Sequence, residues 1–142
     1  MNSNKKDTKQ PQQPKNAAND IRVGINTRVS SLVRYCNGLF KEKTFKTLHF
    51  SAVGGVIWKL VSAVEVLKVV NSGLYQSNKL ATVSYQPNED KEKVKNQRLF
   101  PKMEILLSFE DIKDKNDGYQ KKLDEVEREK LYQYLMKNLK NV

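Results

Sequence analysis

The sequence predicts an α+β fold in which helices are layered on one small mixed sheet. Three observations lead there. Apolar residues recur with period 2 and period 3.6 in turn, in the order strand, helix, strand, helix, strand, strand, helix. The apolar share is 38% of 142 residues, enough for one domain with a modest core. Glycines, above all Gly54, Gly55 and Gly73, sit where one period gives way to the next.

Residues 1–19 contain no Ile, Leu, Val or aromatic residue, and carry four Lys against one Asp. With nothing to bury they cannot offset the entropy of ordering, so they are expected to form a disordered basic tail. The stretch "IRVGI" then alternates. Ile21, Val23 and Ile25 are expected on the core side of a first strand. Val29, Leu32, Val33, Cys36, Leu39 and Phe40 follow at helical spacing and predict an amphipathic helix ending near Lys43. "FKTLHFSAV" reads as a second strand, with Leu48 and Phe50 facing inward.

After the glycine pair, Ile57, Leu60, Val61, Val64 and Leu67 form the core stripe of a second helix. Trp58, Val66 and Val69 lie on its other side. A helix apolar on two faces is buried twice, so these three are expected at an interface with a partner chain. "NSGLYQSN" is expected to end the helix, with Gly73 as its C-terminal turn. "KLATVSY" and "KMEILLSF" read as strands three and four, with Met103, Ile105, Leu107 and Phe109 inward. Between them runs a long charged arm, "QPNEDKEKVKNQRLFP". Residues 20–110 thus make up the domain, and 111–142 a linker with a C-terminal helix. That helix is expected from Gly118 to Lys140. It would be capped by Asp117 with Gln120, braced by Asp124 against Arg128, and docked through Leu123, Val126, Leu131, Tyr134, Leu135 and Leu139.

Charge narrows the function classes. The formal charge is +10 and the pI about 9.6. Residues 20–110 hold 14 Lys and Arg against 8 Asp and Glu, so the excess sits on the domain and its leading tail. Such a surface suits a polyanionic partner. A single cysteine rules out an internal disulfide and fits a reducing, intracellular compartment. There is no His and Cys cluster for zinc, and neither a metal nor a cofactor is expected. No run of 18 apolar residues suits a membrane, and no apolar segment follows Met1 as a signal peptide would require. Cys36 lies on an apolar stripe and reads as a packing residue. His49 alternates onto the other face of its strand. Acid, base and nucleophile come together nowhere, so no enzyme is expected.

The glycine pair admits three readings. "AVGGV" has neither dinucleotide-fingerprint nor P-loop spacing, so a nucleotide-binding enzyme is disfavoured. Gly54 and Gly55 can serve a tight turn and close helix–sheet packing. Alternatively, unpaired N–H groups at the helix start face a nucleic-acid phosphate, reinforced by Lys59. In the arm, Lys91, Lys93 and Lys95 alternate, followed by Arg98. They form either a solvated loop or a phosphate-gripping ribbon.

The run "GGVIWKLVSAVEV", Gly54 to Val66, resembles the second-helix motif of the Alba family of basic nucleic-acid-binding proteins, with Gly54, Ile57, Lys59, Val61, Val64 and Glu65 at motif positions. "LKVVNSGLYQSNKLATVSY" extends the likeness. "FSAVGG" and "ILLS" look most like the Alba-type branch found in eukaryotic ribonuclease P and MRP. The resemblance spans Ile21 to Phe109. It implies a β-α-β-α-β-β two-layer sandwich, to which the C-terminal helix is an addition. It also implies obligate pairing with a second Alba-type chain and non-catalytic binding of RNA or DNA phosphates. The basic turn of the family maps to Asn26, Thr27 and Arg28. A lysine pair usual in archaeal members is missing there, and Gly55 stands where arginine is frequent.

The leading expectation is therefore a nuclear, RNA-binding subunit of a ribonuclease P/MRP-like particle, acting as a heterodimer. Its site would be Arg28, Gly54, Gly55, Lys59, Lys91, Lys93, Lys95 and Arg98. The alternatives are a double-stranded DNA-binding accessory subunit, in chromatin or with a DNA-modifying enzyme such as a methyltransferase, and a scaffold whose binding surface has decayed.

Overall fold

A computed structural model of the chain describes residues 18–42, 45–85 and 98–139. Nine elements follow in order: β1 (Asp20–Val23), α1 (Val29–Lys41), β2 (Thr47–Val53), a single 3₁₀ turn (Gly54–Val56), α2 (Ile57–Val70), β3 (Tyr75–Tyr85), β4 (Arg98–Ser108), β5 (Tyr119–Gln120) and α3 (Glu125–Leu139). The strands form one sheet in the order β1-β2-β4-β3-β5. β1 and β2 are parallel, joined across α1, and every other pair is antiparallel. The expected α+β arrangement is the one observed, with β5 added at the edge.

The core fills the space between one sheet face and helices α1 and α2. Leu48, Phe50, Ala52, Ile105 and Leu107 come from the sheet, Leu32, Cys36 and Phe40 from α1, and Leu60, Ala63, Val64 and Leu67 from α2. The period-2 and period-3.6 stripes named above supply nearly all of it, because burial is what those periods encode. Phe40 meets Phe109 edge to face, their ring centroids 4.8 Å apart. Cys36 is fully buried, and burial pushes its thiol up to about 12, so it stays protonated and packs. Asn71 ties the two helices together: its side-chain amide donates to Asn37 Oδ1 at 2.8 Å and to the Leu67 carbonyl at 3.0 Å. Gly73, with φ of 90°, turns the chain out of α2 as expected.

Several expectations are corrected. Ile25 lies beyond the end of β1 and is 82% exposed, because the strand stops at Val23 and Thr27 closes a turn onto Gly24. Val61 sits at the edge of the α2 stripe and is exposed, while Lys68 takes a buried place on that helix. Lys68 is tolerated there because Nζ reaches Glu65 Oε1 at 2.7 Å and donates to Gln120 Oε1 at 3.1 Å. β3 starts at Tyr75, so "YQSN" is strand and not part of the helix exit. Asn19, assigned to the tail, accepts a bond from the His49 N–H at 2.8 Å.

The C-terminal helix is shorter than its sequence pattern implies. Gly118 to Asp124 is not helical, and Tyr119 and Gln120 instead pair with Ser77 and Gln76 of β3. The Asp117–Gln120 cap is therefore not made. Asp124 takes the capping role, its Oδ2 accepting from the Glu127 N–H at 3.3 Å. Arg128 does not pair with Asp124: its guanidinium holds Glu125 and Glu129, and Nη1 donates to the Val69 carbonyl at 2.8 Å. The end of α2 is thereby closed by a side chain from α3. Leu123 and Leu135 are partly buried, but Val126, Leu131 and Tyr134 point outward; the side chain of Leu139 lies outside the described residues. The helix docks by a charged clamp more than by the expected leucine stripe.

Glu125 is the acidic half of that clamp. Hydrogen bonds from Arg128 and then from Ser72 hold its carboxyl down to about 2, against an ordinary 4.5. A depressed carboxyl contributes stability above its ordinary value and loses that contribution as pH falls through the folded one. The attachment of α3 is therefore expected to be intact at neutral pH and to loosen between about pH 4.5 and about pH 2. Amide exchange along α3 across this window reads it. Glu125→Gln should loosen the helix at neutral pH and flatten the acid dependence; an unchanged profile refutes the clamp.

Candidate functional site

Side chains alternate across the sheet, so its second face can be read from the register. Asp20 and Arg22 of β1, Thr47, His49, Ser51 and Val53 of β2, Phe100, Lys102, Glu104 and Leu106 of β4, and Ser77, Lys79 and Val83 of β3 share it. Residues 109–118 cover one end. Ile112 is 9% exposed there and lies outside the main core. It lines a small cavity of about 150 Å³ with His49, Ser77, Lys79, Glu104, Leu106 and Asp114. His49 Nδ1 lies 3.1 Å from Asp20 Oδ1. Acid, base and hydroxyl groups line this cavity, but among the described residues no hydrogen bond joins the Ser77 hydroxyl to His49, whose Nδ1 faces Asp20.

The other end of the face stays open as a groove of about 930 Å³. Arg22, Ser51, Val53, Val83 and Phe100 line it from the sheet, and Gly24, Ile25, Gly54, Gly55, Val56 and Lys59 from its rim. Gly54 adopts φ of 68°, the left-handed region that favours glycine. The Phe100 ring leans over it: a Cβ on Gly54 would lie 3.5 Å from Phe100 Cδ1. The glycine pair thus makes a tight 3₁₀ turn that starts α2 close against the sheet. An alanine at Gly54 has room but an unfavourable backbone, and should cost about 1 kcal/mol in thermal or denaturant melts.

Lys59 does more than was expected. Its Nζ donates to the Ile25 carbonyl at 2.6 Å and to the Thr27 carbonyl at 2.9 Å. Two of its three N–H bonds therefore lash the β1–α1 turn to the start of α2, and the charge stays at the rim of the groove. Arg28 is exposed at the N-cap of α1, where no side chain caps the helix and the first turn holds no acidic residue.

The structure thus gathers Gly54, Gly55 and Lys59 at one groove, with Arg28 following the turn that Lys59 holds. Arg98 begins β4, exposed and near the far end of the hairpin. Lys91, Lys93 and Lys95 lie outside the described residues. Sequence reasoning missed Arg22, Ile25 and Phe100. Arg22 had a legible signal, since it alternates out of phase with Ile21 and Val23. Phe100 had none, because its position depends on the register between β3 and β4. Of the expected interface residues on α2, Trp58 is 61% exposed and Val66 and Val69 are partly buried. No group of three metal-ligating residues occurs among the described residues, and no described helix is long and apolar enough to cross a membrane.

Residues 19–84 match the family model described as Alba. Over 111 residues the chain is 30% identical to "DNA/RNA-binding protein ALBA1" of Plasmodium falciparum (isolate 3D7), covering 75% of this chain and 45% of that protein, so it spans less than half of that relative. The solved structure of Alba from Thermoplasma volcanium superposes with a TM-score of 0.50 at 22% identity, over 63% of this chain and 98% of that one, a likeness of fold. ALBA1 from Trypanosoma brucei aligns at 24% identity over 87% of this chain and 93% of that one, with a TM-score of 0.41.

Proposed function

Since residues 19–84 match the Alba family model, we propose that the chain is a non-catalytic subunit that binds the phosphate backbone of nucleic acid. One observation carries this reading. Among the described residues, the open groove is lined by Arg22 and Lys59 and by no carboxylate, with exposed Arg28 at the start of α1. A wall of one charge sign at the start of a helix suits a polyanion. The relative's name, a DNA/RNA-binding protein, agrees with it. Phosphate contacts carry no sequence information, so binding should be insensitive to sequence and steeply dependent on salt.

The finer proposal is RNA binding inside a nuclear, ribonuclease P/MRP-like particle, together with a second Alba-type chain. Trp58 and Val61 at the start of α2, and Leu80 in β3, support a partner, because they are large apolar side chains left exposed. Affinity for a duplex and for a single strand across a salt series tests the binding, with light scattering on the isolated chain and on the native complex for the pairing. Weak, salt-insensitive binding to both probes refutes the reading. A soluble monomer, together with native purifications that yield no second Alba-type chain, refutes the pairing.

Residues 1–17 should be dispensable for folding, since they offer nothing to bury. Their removal should shift the melting temperature by less than about 2 °C, well under a kcal/mol at this size. Extending the cut through Asn19 should cost more, because the bond to His49 goes with it.

A further inference from the structure

We infer that the groove at the glycine turn holds an unpaired nucleobase, so that this surface takes single-stranded nucleic acid in preference to a duplex. The inference rests on the reading above that the chain binds nucleic acid, and it names the form of the ligand. The groove measures about 930 Å³, within the range of sites that enclose small organic molecules. Its walls combine two chemistries. Phe100, Val53 and Val83 present an aromatic ring and apolar side chains from one sheet face, and Ile25 stands beside them 82% exposed. Among the described residues, the only charged ones on the lining are cations, Arg22 and Lys59. A phosphate needs the cations but has no use for an apolar floor. An apolar protein segment needs the floor but has no use for paired cations. A nucleotide whose base is free of a duplex brings a flat π face and an anion together.

The geometry supports the same occupant. The Phe100 ring lies against Gly54, its Cδ1 3.5 Å from where a Cβ there would stand. Lys59 is held by two carbonyls, so its charge is fixed at the rim and not free to wander. An aromatic ring on the floor and a held cation at the rim form a platform for stacking with a phosphate contact beside it. Stacking of a base on an aromatic side chain is worth about 5- to 150-fold in affinity when the ring is removed.

The test compares three probes on the full chain: a short oligo-uridine strand, the same strand with abasic sites, and a blunt duplex of matching length. The wild type should bind the intact strand at least about tenfold tighter than the abasic one. Phe100→Ala should lose about tenfold on the intact strand and leave the duplex and the abasic strand unchanged. Phe100→Tyr should retain binding, and Phe100→Leu, which keeps apolar bulk, should not. Ile25→Ser removes an exposed side chain without touching the core, so it reports on the groove even if Phe100→Ala unfolds. It should weaken the intact strand alone.

Equal binding of intact and abasic strands, or wild-type affinity in both Phe100→Leu and Ile25→Ser, overturns the inference while a steep salt dependence keeps the broader reading. Binding of no probe at any salt concentration overturns both. If either variant converts a dimer to a monomer, the groove belongs to a protein partner and the inference is equally overturned.

Discussion

Replacing Gly118 with alanine is expected to lower the melting temperature by roughly 5–15 °C, a loss of about 2–3 kcal/mol. The reason is space and not backbone conformation. A Cβ at Gly118 would lie 2.1 Å from the carbonyl oxygen of Asn78 and 2.9 Å from its carbonyl carbon. Both are main-chain atoms of a central part of β3, so no side chain can swing aside. The Gly118 carbonyl itself accepts from the Asn78 N–H at 2.9 Å and from its side-chain amide at 3.2 Å. Relief therefore means separating β5 from β3. Gln120 then leaves Lys68, an ammonium only 6% exposed, with Glu65 as its remaining partner. The Tyr119 hydroxyl, which donates to Asp111 at 2.6 Å and is held up to about 12 by that bond, leaves with it. Faster amide exchange should spread from Tyr119 through α3, while β1 and β2 stay protected. A melting point within about 2 °C of wild type would show that β5 contributes little.

Changing Arg22 and Arg28 together to alanine should weaken binding to every sequence alike. It should flatten the slope of log affinity against log salt by about 1.4 on single strands and about 1.8 on duplex DNA. Both side chains are exposed, and among the described residues neither makes a hydrogen bond that folding needs, so the melting temperature should hold. Lys59→Ala is the informative contrast. It removes a charge from the same surface, but it also frees the carbonyls of Ile25 and Thr27. Its effect should therefore appear in stability as well as in affinity, and the two must be separated by working far below the melting point. An Arg22 and Arg28 double variant with an unchanged slope would place the phosphate contacts on a partner chain, and this subunit would then act as a scaffold.

The order of elements and most of the core were readable from periodicity alone. Leu32, Cys36 and Phe40, or Leu48 and Phe50, fall on their faces because a helix or a strand can bury only residues in its own period. Ile25 continues the alternation of Ile21 and Val23, but the chain has already turned. Val61 matches the stripe of α2 but lies at its rim, and Lys68 is buried where charge argues for solvent. Gln120 has a helical neighbourhood yet pairs with a strand far away in sequence. For Lys68 and Gln120 a long-range partner overrode the local pattern, and for Ile25 the turn that Thr27 closes onto Gly24 did.

The candidate site divides the same way. The sequence by itself determined the basic charge, the glycine turn with Lys59 one turn into a helix, and the resemblance that makes phosphate binding the expectation. These are local properties, set by composition and by spacing within one element. Only the tertiary structure decided that Arg22 joins the site, that Lys59 spends two bonds on the β1–α1 turn, and that Phe100 lies over Gly54 to floor a groove. Those facts depend on strand register and on the packing of segments more than 30 residues apart. The same holds for the C-terminal segment. Its leucines suggest a docking stripe, but Gly118 can approach β3 more closely than any other residue could, and Arg128 finds the open carbonyl of Val69. Backbone groups left over at a sheet edge and a helix end must be satisfied, and only the folded chain shows which residues reach them.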